Sequence, residues 1–517
     1  MTDTTQQQGS IKLDIKRTFF VGFAFMGIMC FWEVYDYIMP LILSRYFGLN
    51  QAQYGIVMGL DNLLAIFLLP LFGHLSDRKS NAKIGRRTHF ILFGTIAASI
   101  CLIVLSLVEY GQYKAIMDAS ITNIQSLTEH GLDAKYLTAP YIDLYNQVTQ
   151  SGVKLTGDDL VMYNEMLNEI YAAQVRLAST VTKAKPGYFI AFMVIVVLAL
   201  ISMASYRSPA VALMPDVTPK PLRSQANAII TFMGGAGGFA SILLYTVLAK
   251  KRYQSHIALF CVLAGVMIGI LIAYMCTCKE KKFVQMRLDE EQKWGIKDEV
   301  EELGNAKLPK DKFISLLLIL FTVFLWFMGY NAVKSHLSTY ATSVLNFKDS
   351  FVGVINIING IGGAVALLPV ALLANKLGRK KTIFLGLVLS SLAFIPCIFM
   401  TANTPGVKIL FPLCFILSGF GLVCVNVNTF PMVTELSKGS NVGKYTGYYY
   451  IFSMTAQSIT PFFAGIFMDK FHSNALFIYG IVFILIATIT NILIKHGDNK
   501  PEKKAKVIEY FGDEDNG

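Results

Sequence analysis

The chain has 517 residues, 54% hydrophobic and 15% charged, with 45 Lys and Arg against 34 Asp and Glu. That balance excludes an ordinary water-soluble protein of this length. The net charge of +11 would suit a nucleic-acid partner only if the basic residues gathered on one soluble face, and here they are dealt out loop by loop, so none is expected.

Twelve apolar runs follow one another, at about 18–43, 54–74, 88–109, 187–214, 226–249, 256–278, 313–337, 350–374, 381–401, 408–431, 443–468 and 473–495. Each is long enough to cross roughly 30 Å of hydrocarbon. Backbone groups in lipid need internal partners, so each run predicts a helix and the whole an all-α integral membrane protein. The polar start, MTDTTQQQGSIKLDIKR, lacks the layout of a cleavable signal, so the first run is expected to be a permanent span.

Span 1 carries Glu33 and Asp36 in CFWEVYDYIMP; span 2 carries Asp61 in VMGLDNLLAIF. An ionisable group at such a depth costs roughly 2.5 kcal/mol or more and asks for a function. Asp36 lies seven residues before the outer end of span 1 and Asp61 seven after the outer start of span 2. Their depths match, and a shared cavity would let them exchange a proton, because removal from water and a like neighbour both penalise the charged form. Trp32, Tyr35 and Asn62 flank these acids and are candidate solute contacts.

A basic knot, GHLSDRKSNAKIGRRTHF, follows span 2, and basic residues also follow spans 4, 8 and 10 (Lys220 and Arg223; Lys376, Arg379, Lys380 and Lys381; Lys438 and Lys444). The positive-inside rule puts these loops and both termini in the cytoplasm. Lys250, Lys251 and Arg252 dissent and are outvoted. Residues 109–185 are polar, with helix-like apolar spacing but no spanning run, and predict a small helical cap on the outer side between spans 3 and 4.

Span 4 holds Arg207, the single strong base inside an N-terminal-half span, placed either to pair with a carboxylate or solute or to reach the cytoplasmic interface. Span 5 contains GGAGG at 234–238, which suits close helix packing. Residues 279–312 are charged and read as a cytoplasmic linker with an amphipathic helix around EEQKWGIKDEVEEL. The second half offers neutral groups: Trp326, Tyr330 and Asn331 in span 7, Asn356 and Asn359 in span 8, Asn426 and Asn428 in span 10 and Gln457 in span 11. Amides beside aromatic faces suit a sugar, which presents hydroxyl edges and apolar C–H faces. Lys334 and His336 fall near the outer end of span 7 and are expected to be wetted. The eight cysteines lie in or beside spans and imply neither disulfides nor a metal site. No constellation of nucleophile, base or metal ligands points to an enzyme or a cofactor.

The knot has an echo: GHLSD-R then GRR at 73–87 parallels ALLAN-K then GRK at 371–380. MPDVT at 214–218 likewise parallels FPMVT at 430–434. Gly85 to Pro215 spans 130 residues and Gly378 to Pro431 spans 53; the difference, 77, is the length of 109–185. Two six-helix halves in parallel repeat follow, one carrying an insertion. The division is 1–278 for the first half with its insertion, 279–312 for the linker, 313–496 for the second half and 497–517 for a cytoplasmic tail.

The Gly-x-Leu-x-Asp-Arg run followed by Gly-Arg-Arg, between spans 2 and 3 of twelve, resembles the signature loop of the major facilitator superfamily. The six residues from Lys79 to Ile84 between its two parts, together with SPAVALMPD at 208–216 and ANAIITFMGGAGG at 226–238, are similar to the sucrose-transporter-like branch of the glycoside–pentoside–hexuronide cation symporters. Val211 stands where that branch often has arginine, and Arg207 lies one turn earlier on the same helical face. The resemblance implies the major facilitator fold and alternating access around a site between the halves. It implies a monomeric cell-membrane carrier of a small polar solute, a sugar or glycoside, in symport with a proton or sodium ion. An exporting antiporter, and a nutrient sensor built on the same fold, are the competing readings. Gly73, Asp77, Arg78, Gly85, Arg86, Arg87, Asp216 and Arg223 are then candidates for a cytoplasmic latch that breaks on inward opening. In it Asp77 would accept from a neighbouring helix N-terminus.

Overall fold

The computed structural model describes residues 12–78, 84–219, 222–249, 251–294, 309–436 and 442–498. Fifteen α-helices fill most of this: α1 (Ile15–Arg45), α2 (Gln51–Arg78), α3 (Arg86–Asp118), α4 (Ala139–Ser151), α5 (Gly157–Ala184), α6 (Pro186–Val217), α7 (Arg223–Leu248), α8 (Ile257–Thr277), α9 (Glu280–Lys293), α10 (Lys310–Ser343), α11 (Asp349–Leu377), α12 (Arg379–Phe399), α13 (Val407–Leu436), α14 (Val442–Lys470) and α15 (Ala475–Leu493). All but α4, α5 and α9 are long and apolar enough to span a bilayer. Their outward faces keep Ile100, Leu198, Leu392 and Ile489 exposed, as lipid contact requires. The protein is a multi-pass membrane protein of twelve spanning helices in two halves.

The packing repeats as the sequence does. In the first half α1 packs on α7 and α8, and α3 on α6 and α8; in the second half α10 packs on α14 and α15, and α12 on α13 and α15. The halves meet through α2 with α14, its counterpart α11 with α7, and α1 with α10. Small residues permit the α2–α14 approach: a Cβ at Gly55 or Gly59 would strike the backbone of Pro461 or Ser458, and Ser458 Oγ donates to Gly59 O at 3.0 Å. Gly237 of the GGAGG run lies against the Met26 backbone of α1.

The insertion starts later than its composition suggests. Residue Glu109 sits inside α3, which runs on to Asp118, and its carboxylate is fully buried against His256 Nδ1 at 3.0 Å. Two 3₁₀ turns, α4 and the 28-residue α5 then return the chain to α6. Within this cap Glu165 accepts from Lys135 Nζ at 3.1 Å and Tyr136 Oη at 3.0 Å, bonds that hold its carboxyl below the usual range. The cap also reaches across: Asn164 Nδ2 donates to Asn403 Oδ1 at 2.6 Å, and Asn346 Nδ2 donates to Asn164 Oδ1 at 2.9 Å. The end of the bundle bearing this cap is here the cap end; the other is the knot end. In the linker, α9 covers Glu280–Lys293, upstream of most of the expected amphipathic helix. Residues 295–308 and 499–517 lie outside the described residues.

A seam closes the cap end. Arg45, in the last turn of α1, grips Asp349, in the first turn of α11, through bonds of 2.6 and 2.8 Å. Each charge sits at the helix end whose dipole favours it. The two side chains are only 5% and 8% exposed, and Tyr37 Oη donates to Asp349 O at 2.7 Å. Gln51 and Ala52 N–H groups donate to the Asp469 carboxylate at 3.2 and 3.0 Å. His336, expected to be wetted, is instead fully buried here. Its Nε2 faces the Pro461 carbonyl at 2.9 Å and so carries the proton, leaving Nδ1 to accept from Tyr54 Oη at 2.6 Å.

Breaking a buried pair from one side leaves an uncompensated charge, at about 3–5 kcal/mol. Asp349→Asn is therefore expected to move the population toward states open at the cap end, and the paired apolar replacement Arg45→Met with Asp349→Leu to reverse much of that shift. Spin-label distances across the seam measure it; wild-type distances in the single variant would refute the gate.

Candidate functional site

Between the halves lies a cavity of about 500 Å³. The hydrogen bonds and ion pairs that join the halves among the described residues run from its floor to the cap end, so the cavity faces the knot end. The first half lines it with Trp32, Glu33 and Asp36 from α1, Asp61 and Asn62 from α2 and Arg207 from α6; the second adds Asn331, Asn426 and Gln457. Nine sequence candidates thus converge on one space. Asp36 and Asp61 share it, as their matched depths require.

Local structure explains several positions. Pro461 has no N–H, which frees the Gln457 carbonyl one turn back; Asn331 Nδ2 donates to that carbonyl at 3.2 Å. Asn62 Nδ2 donates to Asp61 Oδ1 at 2.9 Å. Gly238 leaves room for the Glu33 side chain beside α7.

Other candidates stand back from the cavity. Tyr35 is buried in an apolar pocket with Phe31, Val34 and Leu102. Trp326 is fully buried and donates from Nε1 to Asn426 Oδ1 at 3.1 Å, setting the orientation of that cavity amide. Asn359 Nδ2 donates to Tyr330 Oη at 3.3 Å, and Asn428 donates to the Cys424 carbonyl one turn back. These groups, with Asn356 on α11, are not among the cavity's lining residues.

Lys334, expected at a wetted helix end, projects into the cavity and pairs with Asp36 Oδ2 at 3.0 Å, across the halves. Asn227, Ser335, Tyr449, Tyr450 and Ser453 complete the polar lining. Asn227 could have been found in sequence, since it is the amide of the ANAII run.

The knot residues form a cluster within the first half. Arg87, buried, binds Asp77 at 2.6 Å, Asp216 at 2.8 Å and the Ser76 hydroxyl. Arg86 binds Asp216 at 2.8 Å. Arg223 Nη2 donates to the Pro215 carbonyl at 3.2 Å, Gly73 faces Ser208 on α6, and Arg78 is exposed. All the pairs are intact while the cavity faces the knot end. The bonds tie α2, α3 and α6 together rather than one half to the other, unlike the expected breakable latch. Nor, among the described residues, does Asp77 hold a helix N-terminus. That place belongs to Glu280, whose carboxylate accepts from Arg87 N at 3.1 Å and Thr88 N at 2.7 Å. Gly85, at φ 123°, is required here: any Cβ would strike Glu280. The second half repeats the device, with Gly378 at φ 94°, Lys380 N donating to Asp498 Oδ1 at 2.8 Å, and Arg379 binding Glu435 at 2.9 Å.

The sequence matches the family model of the Major Facilitator Superfamily over residues 172–357 and 342–510. The chain belongs to this superfamily. It is accordingly a transporter, not an enzyme. No curated protein sequence matches it. Among solved structures, it is similar to a bacterial homologue of the iron transporter ferroportin in an inward-facing state, at 13% identity and TM-score 0.56 over 94% of this chain and 99% of that one. It is also similar to a D-xylose–proton symporter, at 14% identity and TM-score 0.55 over 93% and 98%. A nucleoside transporter gives 11% identity and TM-score 0.55 over 93% and 100%. Their descriptions refer to different solutes (iron, xylose and nucleosides), so the superfamily fold leaves the cargo to be argued from the cavity.

Glu280 is 3% exposed, whereas the Asp77 side chain is 56% exposed. Glu280→Gln, losing a buried charge on a helix N-terminus, is expected to destabilise by about 1–2 kcal/mol, and Asp77→Asn by about 1 kcal/mol or less. Thermal unfolding in detergent checks the order; a larger loss for Asp77→Asn would reverse the assignment of the two carboxylates.

Proposed function

We propose that this protein is a secondary active transporter that carries a small polar solute, of the sugar or glycoside class, by proton-coupled symport. The observation that carries the reading is the cavity between the halves, closed at the cap end and lined by carboxylates from one half and amides from the other. Rocking one half against the other about this space would expose it alternately to each side. The basic loops support a cytoplasmic knot end and cytoplasmic termini, so the cavity here faces inward. The spacing of the knot and the SPAVALMPD run support the sucrose-transporter-like branch. A monomer in the cell membrane contains all the parts this mechanism uses.

Asp61 is the proton carrier in this reading. Asp36 is engaged by Lys334 at 3.0 Å, whereas Asp61 has a neutral amide as its hydrogen-bond partner. A carboxylate without a matching cation is costly to carry through a closed, dry state, and a bound proton removes that cost. Turnover of the loaded carrier then requires the proton, which couples its gradient to the solute. Binding by Asn331, Asn426 and Gln457 would orient solute hydroxyls while Trp32 packs on an apolar face.

Asp61→Asn keeps the shape but cannot release a proton. In proteoliposomes it is expected to lose accumulation driven by a pH gradient while keeping exchange of labelled for unlabelled solute. Wild-type accumulation by this variant would move the coupling to Asp36 or Glu33. A gradient of sodium that drives the wild-type protein when a pH gradient does not would replace the ion.

A further inference from the structure

The cavity holds two cations, and their surroundings differ. Lys334 is matched by Asp36. Arg207 lines the same cavity, yet among the described residues it has no hydrogen-bond or ion-pair partner; the Trp32 ring lies 5.9 Å from its guanidinium, and the Asp61 and Asp36 charges act on it from beyond ion-pair distance. Trp32 brings a second donor, an indole Nε1–H that is buried and also lacks a partner. Three carboxylates line this space, but none lies within ion-pair distance of Arg207, and Asp61 turns one oxygen to Asn62. The internal repeat adds an independent point. The position equivalent to Arg207 in the second half is Val423, a buried residue of α13. The fold is therefore built without a cation at this place, and Arg207 answers to something other than architecture.

From this we infer that the transported solute bears an anionic group, a carboxylate, sulfate or phosphate, and that Arg207 binds it. The inference rests on the proposed transport role and narrows its cargo to an acidic sugar or comparable polar acid. A planar guanidinium offers paired N–H groups that match two oxygens of an oxyanion, and desolvation strengthens those bonds. Trp32 supports the fork from one face and leaves its edges for the ligand. The amides of the second half remain for the uncharged part of the solute.

The test uses the full-length purified protein and four probes: glucose, glucuronate, glucose 6-sulfate and glucose 6-phosphate. Binding is read by calorimetry or ligand-induced thermal shift. At least one acidic probe is expected to bind roughly 10–100-fold more tightly than glucose, the range of a charge-assisted hydrogen bond. Arg207→Gln is expected to abolish that preference, and Arg207→Lys, which keeps the charge without the fork, to retain part of it. If the Gln variant does not fold, the wild-type panel and the Lys variant decide. Glucose binding as tightly as the acids, no binding by any acid, or an unchanged preference in either variant overturns the assignment. Uptake measured alongside separates this from the transport reading. Acid binding without uptake fails that reading alone, while uptake of a neutral sugar with no preference for acids fails this one alone.

Discussion

The hydrocarbon core offers a polar group no partner, and the arrangement of this protein follows from that constraint. The spanning helices close most of their backbone hydrogen bonds internally, and two exceptions show how a polar group is answered locally. Where Pro461 frees the Gln457 carbonyl, Asn331 supplies an amide. Where two helix ends meet at membrane depth, Arg45 and Asp349 satisfy one another and both dipoles. Among the described residues, a set of polar and charged groups from both halves converges on one space between them. In this environment a cavity is a place where side chains can be polar without paired neighbours, which makes this cavity the candidate functional site.

The two ends of the bundle are held in different ways. Among the described residues, the knot-end ion pairs stay inside each half, with Arg87 and Arg86 on Asp77 and Asp216, and Arg379 on Glu435. Glu280 and Asp498, each just beyond the last helix of its half, cap α3 and α12. These bonds make each half rigid. At the cap end the bonds cross between halves, and the insertion adds its own through Asn164. In the proposed cycle, a rigid half that rocks would break the second kind of bond and keep the first.

Much of this was legible in the sequence. Hydrophobic run length found all twelve spans, and the equality of one spacing difference with the length of one polar segment found the repeat and the insertion. Nine cavity residues were visible because polarity in a span is costly enough to single them out. What sequence could not supply was which partner each group meets. Glu280 looks like one more linker charge, and only the fold brings it to the start of α3. Lys334 and His336 lie two residues apart near one helix end, yet one enters the cavity and the other is sealed in the seam, since helical neighbours two apart face different directions. Tyr35, Trp326 and Asn428 were singled out by residue type, and type alone does not distinguish a cavity wall from the layer supporting it.

The asymmetry between the halves bears on how the cycle is driven. The first half carries Glu33, Asp36, Asp61 and Arg207; the second carries Lys334 and a set of neutral amides. The Asp36–Lys334 bond crosses between them at the cavity floor, just inside the cap-end seam. Opening the cap end therefore disturbs this bond and the Arg45–Asp349 pair together, and releases charge on both sides of the cavity. A carrier that frees charged groups as it opens needs something to neutralise them before it closes again. In the proposed cycle, a proton on a first-half carboxylate and an acidic group on the solute, held by Arg207, would be of opposite sign and reach the same half. Each would then lower the cost of binding the other, which is how the proposed cycle would link solute to ion.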